Sequence, residues 1–291
     1  MKSMEIEKAP ELGLCIGIRR AIQRLTEAAA DYGEIETLGP VAHNEQLVET
    51  LTRAGVRPVA RLDQLRGKVV AITTHGTSPD TLADIEASGI EVIDTTCPIV
   101  RKVRSTARQL ADDGYHVVIF GEAEHSEVRG LLGWTEGKGL ATLEPESVRL
   151  SGEQPYRVGV ISQTTQTQAA FFEFATLLVE RLGPETKEIR VVNTLCQAVQ
   201  RRQNAALRLA RRSQLMIVIG GAASANTKRL AEICSPVVET RLVETADQIQ
   251  PGWLAGKQHV AVTAGTSTPT ETIDQVVLRL GSMEPVNQGG R

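Results

Sequence analysis

Three cysteines of this chain occupy the same place in a repeated sequence pattern. They are Cys15, Cys97 and Cys196, and each stands between a strand-like run and a helix-like run. A glycine follows each cysteine after 24 residues and a polar loop residue follows it after 28 residues. The glycines are Gly39, Gly121 and Gly220, and the polar residues are His43, His125 and Ser224. A register shared by three segments predicts one α/β unit used three times.

A second strand-like run in each third of the chain ends in a polar tip. Runs 68–73, 157–162 and 259–263 lead into these tips. Aligning the runs on Ala71, Gly159 and Ala261 superposes His75, Gln163 and Gly265. Ligand sites of open parallel sheets gather at the carboxyl ends of the strands. The repeat therefore predicts three thiols and six polar loops around one centre.

Length and composition favour an α/β protein with several small domains. The chain has 291 residues, 41% hydrophobic but only 3% aromatic, as in aliphatic parallel sheets covered by helices. The repeat predicts a first domain over 16–97, a second over 98–192, a third over 193–280 together with 1–15, and a tail over 281–291.

Charge and hydropathy exclude two classes of partner. A net charge of −3, from 32 basic and 35 acidic residues, argues against nucleic acid and membrane surfaces. The strongest apolar run, 215–219, is too short to cross a bilayer, and the first residues lack a signal-peptide core. A cytoplasmic protein is expected.

The repeated cysteines predict an iron–sulfur site. Buried core thiols are the alternative, but packing does not require cysteine three times at one register. A helix start stabilises a thiolate, and a basic residue stands five places after each cysteine, at Arg20, Lys102 and Arg201. Three thiolates would hold one 4Fe–4S cluster per chain and leave one iron open to substrate. Cys234 lies outside the repeat and is expected to be a packed helix-end thiol.

Polar residues at the repeated loop tips predict an anion site. The candidates are His43, His75, His125, Ser224, Asn226 and Ser267. A lone histidine is more often solvated than functional, but a ring of imidazoles, hydroxyls and an amide at helix starts suits a diphosphate. His116 and His259 each begin an apolar run and are expected to have no role.

Glu127 is the best candidate for a proton donor, because it stands two residues after a loop-tip histidine. A surface glutamate at a helix start is the alternative. Thr164 and Thr165 follow a strand tip and are candidates to relay a proton or hold a water.

The motifs resemble one known family when they are taken in order. They are Gly-Leu-Cys15-Ile-Gly, Val-Ala-His43-Asn, Thr-His75-Gly-Thr-Ser, Asp-Thr-Thr-Cys97-Pro, His125-Ser-Glu127-Val-Arg-Gly, Gln-Thr164-Thr165, Asn-Thr-Leu-Cys196, Ser224-Ala-Asn226-Thr and Thr-Ala-Gly-Thr-Ser267. Their order resembles the 4-hydroxy-3-methylbut-2-enyl diphosphate reductases of the methylerythritol phosphate route to isoprenoids. The resemblance runs from Cys15 to Val277.

The resemblance implies a fold, a reaction and a set of roles. The implied fold is a trefoil of three pseudo-equivalent α/β domains, with mostly parallel sheets, around a central cluster. The implied reaction removes the allylic hydroxyl reductively and gives isopentenyl and dimethylallyl diphosphate, with electrons from ferredoxin or flavodoxin. The cluster ligands would be Cys15, Cys97 and Cys196, and the catalytic residues Glu127, Thr164 and His125. Substrate would be held by His43, His75, His125, Thr164, Thr165, Ser224, Ala225, Asn226 and Ser267, with Ala225 offering only its backbone amide.

The chain departs from the family pattern at four positions. Ser126 replaces a usual proline, Val199 a threonine, Ala225 a serine and Leu14 a phenylalanine. None of these changes removes a cluster ligand or the acid. Two other functions remain open: a paralogue that reduces another allylic alcohol, and a non-catalytic iron–sulfur sensor. The sensor does not need Glu127 or the diphosphate ring, so it ranks last.

Overall fold

Strands and helices alternate through the computed structural model, which describes residues 4–150 and 156–283. The strands there are β1 Glu5–Lys8, β2 Ile35–Leu38, β3 Val56–Val59, β4 Val69–Ile72, β5 Glu91–Asp94, β6 His116–Phe120, β7 Gly139–Thr142, β8 Tyr156–Ser162, β9 Thr186–Val191, β10 Leu215–Ile219, β11 Thr240–Val243 and β12 His259–Ala264. The helices there are α1 Ile16–Tyr32, α2 Glu45–Arg53, α3 Pro79–Ala87, α4 Pro98–Asp112, α5 Ser126–Gly133, α6 Gln168–Leu182, α7 Gln197–Ala210, α8 Ala225–Cys234 and α9 Thr270–Ser282.

The strands form three four-stranded sheets with equivalent strand orders. The orders are β3-β2-β4-β5, β7-β6-β8-β9 and β11-β10-β12-β1, and every pairing is parallel. Parallel strands need crossover connections, and the helices supply them. The central strand β10 is buried throughout, as expected for a strand covered on both faces. The predicted class, three pseudo-equivalent α/β units with parallel sheets, is confirmed.

Residue contacts divide the described chain into two compact units. The first takes in residues 4–19, 42–50 and 197–283 and holds the sheet of β1, β10, β11 and β12. The second takes in residues 20–41 and 51–196, apart from 151–155, and holds the other two sheets. The three domains expected from the sequence, at 16–97, 98–192 and 193–280 with 1–15, stay a prediction. Of the predicted tail, residues 281 and 282 end α9, and residues 284–291 lie outside the described residues.

The cores of both units are mainly aliphatic. In the first unit, β10 and β12 pack against α9 through residues such as Ile217, Val262 and Val276. In the second unit, β6 and β8 pack against α6 and α4, where Phe171 and Tyr115 supply the aromatic surface. Burial of such side chains contributes about 1.5–3 kcal/mol each.

One buried carboxylate, that of Glu36, connects separate segments of the second unit by hydrogen bonds. Glu36 on β2 accepts hydrogen bonds from the backbone N–H groups of Arg66 (2.7 Å) and Gly67 (2.9 Å) and from the Arg57 guanidinium (3.0 Å). Burial alone would raise the pKa of Glu36, but these three donors outweigh it and lower the pKa below its usual value.

Sheet register corrects one alignment made from the sequence. The residues just before Gly39, Gly121 and Gly220 pair with the residues that end β4, β8 and β12. These strand-end residues are Ile72, Ser162 and Ala264. The tip residues that correspond are therefore His75, Thr165 and Ser267, and the superposition of His75 on Gln163 and Gly265 is wrong. The apolar runs misplaced the tips because β8 and β12, with seven and six residues, are longer than the four-residue β4.

Candidate functional site

The three repeated cysteines stand in equivalent local structures. Each immediately precedes a helix, at the starts of α1, α4 and α7. The backbone N–H of each donates to a carbonyl at the neighbouring strand tip: Cys15 to Thr266 (3.0 Å), Cys97 to Thr74 (3.1 Å) and Cys196 to Thr164 (3.0 Å). All three are partly exposed and none is in a disulfide. The three cysteines therefore share one backbone setting at the start of a helix.

Cys234 differs from the three repeated cysteines in its position on a helix and in its burial. It ends α8, is fully buried, and packs with Met216, Val218 and Leu230. Burial raises the pKa of its thiol to about 11. The expected packed helix-end thiol is confirmed.

The basic residues five places after the cysteines face solvent. Arg20, Lys102 and Arg201 are all exposed, and Arg201 pairs with Glu11 at 2.9 Å. The next position of each helix is the buried one, and it holds Ala21, Val103 and Arg202. Within the described ranges, the structure therefore shows no contact between these three basic residues and the cysteines they follow. On the buried positions of these helices, only α7 carries a charge.

In the second unit, Glu127 and Thr164 form a buried pair. Glu127 lies in the first turn of α5 and is 2% exposed. One carboxyl oxygen accepts from the Thr164 backbone N–H and the other is hydrogen-bonded to the Thr164 hydroxyl, both at 2.7 Å. The sequence identified both residues as candidates without a contact between them, and the structure shows that they are hydrogen-bonded to each other.

The burial of Glu127 determines its protonation. Removal from water raises the pKa of the carboxyl group above its usual value, and the two hydrogen bonds from Thr164 only partly oppose this. A carboxyl group with a raised pKa keeps its proton to higher pH and is suited to act as a general acid.

His125 and His75 lie side by side near this acid. Their rings meet edge to face with centroids 5.6 Å apart. The Nδ1 atom of His125 accepts the backbone N–H of Glu127 at 3.2 Å, so His125 caps the start of α5. Because Nδ1 is the acceptor, Nε2 is the ring nitrogen that carries the proton in the neutral imidazole.

In the first unit, a serine caps a helix beside polar groups that lack protein partners. Ser224 caps α8 by accepting the backbone N–H of Thr227. Asn226 and Ser267 are 3% and 4% exposed. Among the described residues, neither amide atom of Asn226 nor the hydroxyl of Ser267 has a hydrogen-bond partner. Native proteins rarely leave buried polar groups unsatisfied, so these atoms are expected to bind a water molecule or a ligand.

His43 lies in the first unit, one residue before the cap of α2. Asn44 is that cap, since its side-chain oxygen accepts from the Leu47 N–H at 2.9 Å. Gly221 approaches the segment so closely that a Cβ there would lie 2.2 Å from the His43 carbonyl oxygen. Burial, followed by the nearby charge of Lys228, lowers the pKa of His43. A lowered pKa favours the neutral imidazole.

The remaining candidates occupy helix starts and a strand tip. Ser126 and Ala225 are the first residues of α5 and α8, and Thr165 is half-buried after β8. A helix start tolerates serine where proline is common, since neither needs an intrahelical bond there. Of the two other departures, Val199 is buried within α7 and Leu14 is half-buried just before the first repeated cysteine.

Sequence reasoning gave Gln163 a place among the strand tips but no contacts, and the structure shows that it joins two loops in the second unit. It is fully buried, and its side-chain oxygen accepts from the Glu122 N–H (3.0 Å) and the Gln166 amide (3.2 Å). Gly121 makes room for it, because a Cβ there would lie 2.8 Å from the Gln163 Cβ. The sequence feature that could have indicated these contacts is the pair of glutamines, Gln163 and Gln166, on either side of Thr164-Thr165.

Arg202 was missed, although it is a charged residue only 5% exposed. It lies on α7, in the helix that Cys196 begins. Its Nη1 donates to the carbonyl oxygens of Gly13 (2.8 Å) and Ala264 (2.9 Å). The buried face of α7 also carries the polar Gln203, so the sequence pattern did not single out Arg202.

Parallel sheets with thiols, a buried acid and unsatisfied polar groups after their strands are typical of α/β proteins whose ligand sites lie at the carboxyl ends of the strands. The chain belongs to the LytB protein family, whose model matches residues 6–281. A 4-hydroxy-3-methylbut-2-enyl diphosphate reductase of Dehalococcoides mccartyi (strain ATCC BAA-2266 / KCTC 15142 / 195) is 42% identical, over 96% of this chain and 99% of its own. The enzyme of that name from Geobacter sulfurreducens is 41% identical, over 98% and 100%.

Solved structures extend the similarity to the fold. A structure of (E)-4-hydroxy-3-methyl-but-2-enyl diphosphate reductase, the terminal enzyme of the non-mevalonate pathway, is 36% identical and covers 96% of this chain and 99% of its own, with a TM-score of 0.68. The E-1-hydroxy-2-methyl-but-2-enyl-4-diphosphate reductase from Plasmodium falciparum has a TM-score of 0.90, covers 99% and 92%, and at 21% identity supports the fold alone. Among the described residues, no helix combines the length and apolarity needed to cross a membrane.

Proposed function

We propose that this chain is a 4-hydroxy-3-methylbut-2-enyl diphosphate reductase. The reaction replaces the allylic C–OH bond by C–H, consumes two electrons and two protons, and releases water. Its products are isopentenyl and dimethylallyl diphosphate. Family membership and relatives of that name at 42% and 41% identity support this assignment.

The observation that carries the mechanism is the buried pair of Glu127 and Thr164. Hydroxide is a poor leaving group, so loss of the substrate hydroxyl requires a proton. Glu127 is 2% exposed, and burial raises its pKa, which favours the protonated form that a general acid needs. Its two hydrogen bonds to Thr164 hold the carboxyl group in one orientation. In this role, Thr164 positions the acid and its hydroxyl accepts or passes on the same proton.

Substrate binding is assigned to the polar groups at the loop tips. Asn226 and Ser267 are buried with unsatisfied polar atoms, which a diphosphate would satisfy. Ser224 and the amide of Ala225 stand at the start of α8, where helix N-termini favour anions. Further contacts are assigned to His43, His75, His125 and Thr165. His125 would donate from Nε2, since Nδ1 already accepts a backbone N–H.

The thiols fit a 4Fe–4S cluster with three protein ligands. Cys15, Cys97 and Cys196 are partly exposed, lie in equivalent backbone settings at helix starts and form no disulfide. Such a cluster supplies electrons and an iron without a protein ligand. Ferredoxin or flavodoxin is the proposed donor of those electrons. The expected cytoplasmic location stays a prediction.

An anaerobic assay with the hydroxylated allylic diphosphate and a chemical reductant tests the proposal. The wild-type protein should form both products. Glu127→Gln keeps the size of the side chain but does not supply a proton, so turnover should fall about 10²–10⁴-fold. Glu124→Gln is the matched control, because Glu124 is exposed in the same loop and should leave turnover unchanged.

The assay also separates the two other functions. A wild-type protein that binds iron but reduces no allylic alcohol would contradict the proposal and favour the sensor. Turnover of another allylic alcohol, with none of the diphosphate, would favour the paralogue. Near-normal turnover in Glu127→Gln would show that the proton comes from another group.

A further inference from the structure

Two of the three cysteine loops are tied to the adjacent strand end by a threonine. Thr95 and Thr194 stand two residues before Cys97 and Cys196. The Thr95 hydroxyl donates to the Ile72 carbonyl at 2.6 Å. The Thr194 hydroxyl donates to the Ser162 carbonyl at 2.7 Å. Because Ile72 and Ser162 are equivalent last residues of β4 and β8, both loops use the same tie.

The Cys15 loop has no such side chain. Gly13 holds the equivalent position, and its φ of +71° lies in a region that β-branched residues avoid. A threonine would be strained there, so this loop is not able to use the tie found in the other two. The strand end equivalent to Ile72 and Ser162 is Ala264.

Arg202 replaces the missing hydroxyl. Its Nη1 bridges the Gly13 carbonyl (2.8 Å) and the Ala264 carbonyl (2.9 Å), the two backbone positions that the threonine hydroxyls connect elsewhere. Ala21 and Val103 fill the equivalent buried positions of α1 and α4. The only helix of the three with a buried charge thus serves the only loop without a threonine.

We propose that Arg202 is a positioning residue that fixes the Cys15 loop in the geometry of a metal ligand. It acts through the backbone, next to the hydrogen bond from the Cys15 N–H to Thr266. The guanidinium is suited to this task, because one charged group satisfies two carbonyls within a buried site. The inference rests on the proposed function only in taking Cys15 as a cluster ligand.

Hydrogen exchange of the full chain, without added iron, tests the tie directly. In Arg202→Met, the peptide containing Cys15 should exchange about tenfold faster, as expected for the loss of hydrogen bonds from a charged donor. Peptides containing Cys97 and Cys196 should keep their rates. Thr95→Val should accelerate only the Cys97 peptide, and Thr194→Val only the Cys196 peptide. Arg208→Gln, an exposed change on the same helix, is the control and should alter none of the three.

Iron retention gives the second readout. After anaerobic reconstitution, Arg202→Met should lose iron to a chelator about tenfold faster than Arg208→Gln, and Arg202→Lys should restore part of the retention. Unchanged exchange of the Cys15 peptide in Arg202→Met would overturn the proposal. So would equal acceleration of all three peptides, because it would show a general loss of stability. A wild-type protein that binds no iron would contradict the proposed function. The exchange data would still test whether Arg202 holds the Cys15 loop, because they are measured without added iron.

Discussion

Replacing Ser267 by alanine is expected to stabilise the protein and weaken its function at the same time. The Ser267 side chain is 4% exposed, and its hydroxyl has no partner in the described part of the chain. A buried polar group without a hydrogen bond costs about 1–3 kcal/mol. Ser267→Ala removes that cost without adding volume, so the free energy of unfolding of the ligand-free protein should rise by about that amount.

Ser224→Ala is the matched comparison, with the opposite expectation for stability. Ser224 is also buried, at 6% exposed, but its oxygen caps α8 by accepting the Thr227 N–H. Loss of such a cap costs about 0.5–2 kcal/mol. Two substitutions with the same chemistry should therefore move the unfolding free energy in opposite directions.

Both variants should bind diphosphate less well. A hydrogen bond to a charged group contributes about 1.5–3 kcal/mol, so inhibition by pyrophosphate should weaken about tenfold or more in each. Urea unfolding without ligand and inhibition assays with the cluster in place measure the two effects. A lower unfolding free energy for Ser267→Ala, or unchanged inhibition, would refute the reasoning that its hydroxyl is reserved for a ligand.

Three further results are expected. Anaerobically prepared protein should contain about four irons per chain; Cys97→Ser should lose them and Cys234→Ser should not, as iron analysis will show. Turnover should fall as pH rises through the raised pKa of Glu127, because the acid then loses its proton; a rate that rises across the same range would contradict this role. Glu36→Gln should lower the free energy of unfolding by about 1.5–3 kcal/mol near neutral pH. Since the folded-state pKa of Glu36 is lowered, its contribution is present above the unfolded pKa and lost as pH falls through the folded pKa; urea unfolding from pH 7 to pH 3 should show the two proteins converge.

The sequence predicted the parts of this molecule that repeat. The cysteine, the glycine and the polar tip recur at fixed spacing because each unit has the same order of helix, strand and loop between them. The helix starts at Ile16, Pro98 and Gln197 follow directly from the cysteine positions. The tip alignment failed where β8 and β12 are longer than β4. Apolar composition does not mark the residue at which a buried parallel strand ends.

Side-chain partnerships were harder to predict. Glu127 and Thr164 were both candidates, but their hydrogen bond joins residues 37 positions apart in the chain, and periodicity carries no information on such pairs. Arg202 was missed for the same reason, because its two acceptors lie at distant positions in the chain. Its burial is evident only once α7 is packed.

The pairing of β1 with β12 has a consequence for synthesis. β1 is made long before its partner, because β12 and the Thr266 carbonyl that accepts the Cys15 N–H are translated about 250 residues after Cys15. At roughly 5–20 residues per second, the nascent chain carries Cys15 without its hydrogen-bond partner for about 12–50 s. The second unit, with Cys97 and Cys196, is complete well before that. The first of the three repeated cysteines is thus the last to obtain its hydrogen-bond partner, and any metal centre that needs all three is assembled only after β12 has been made.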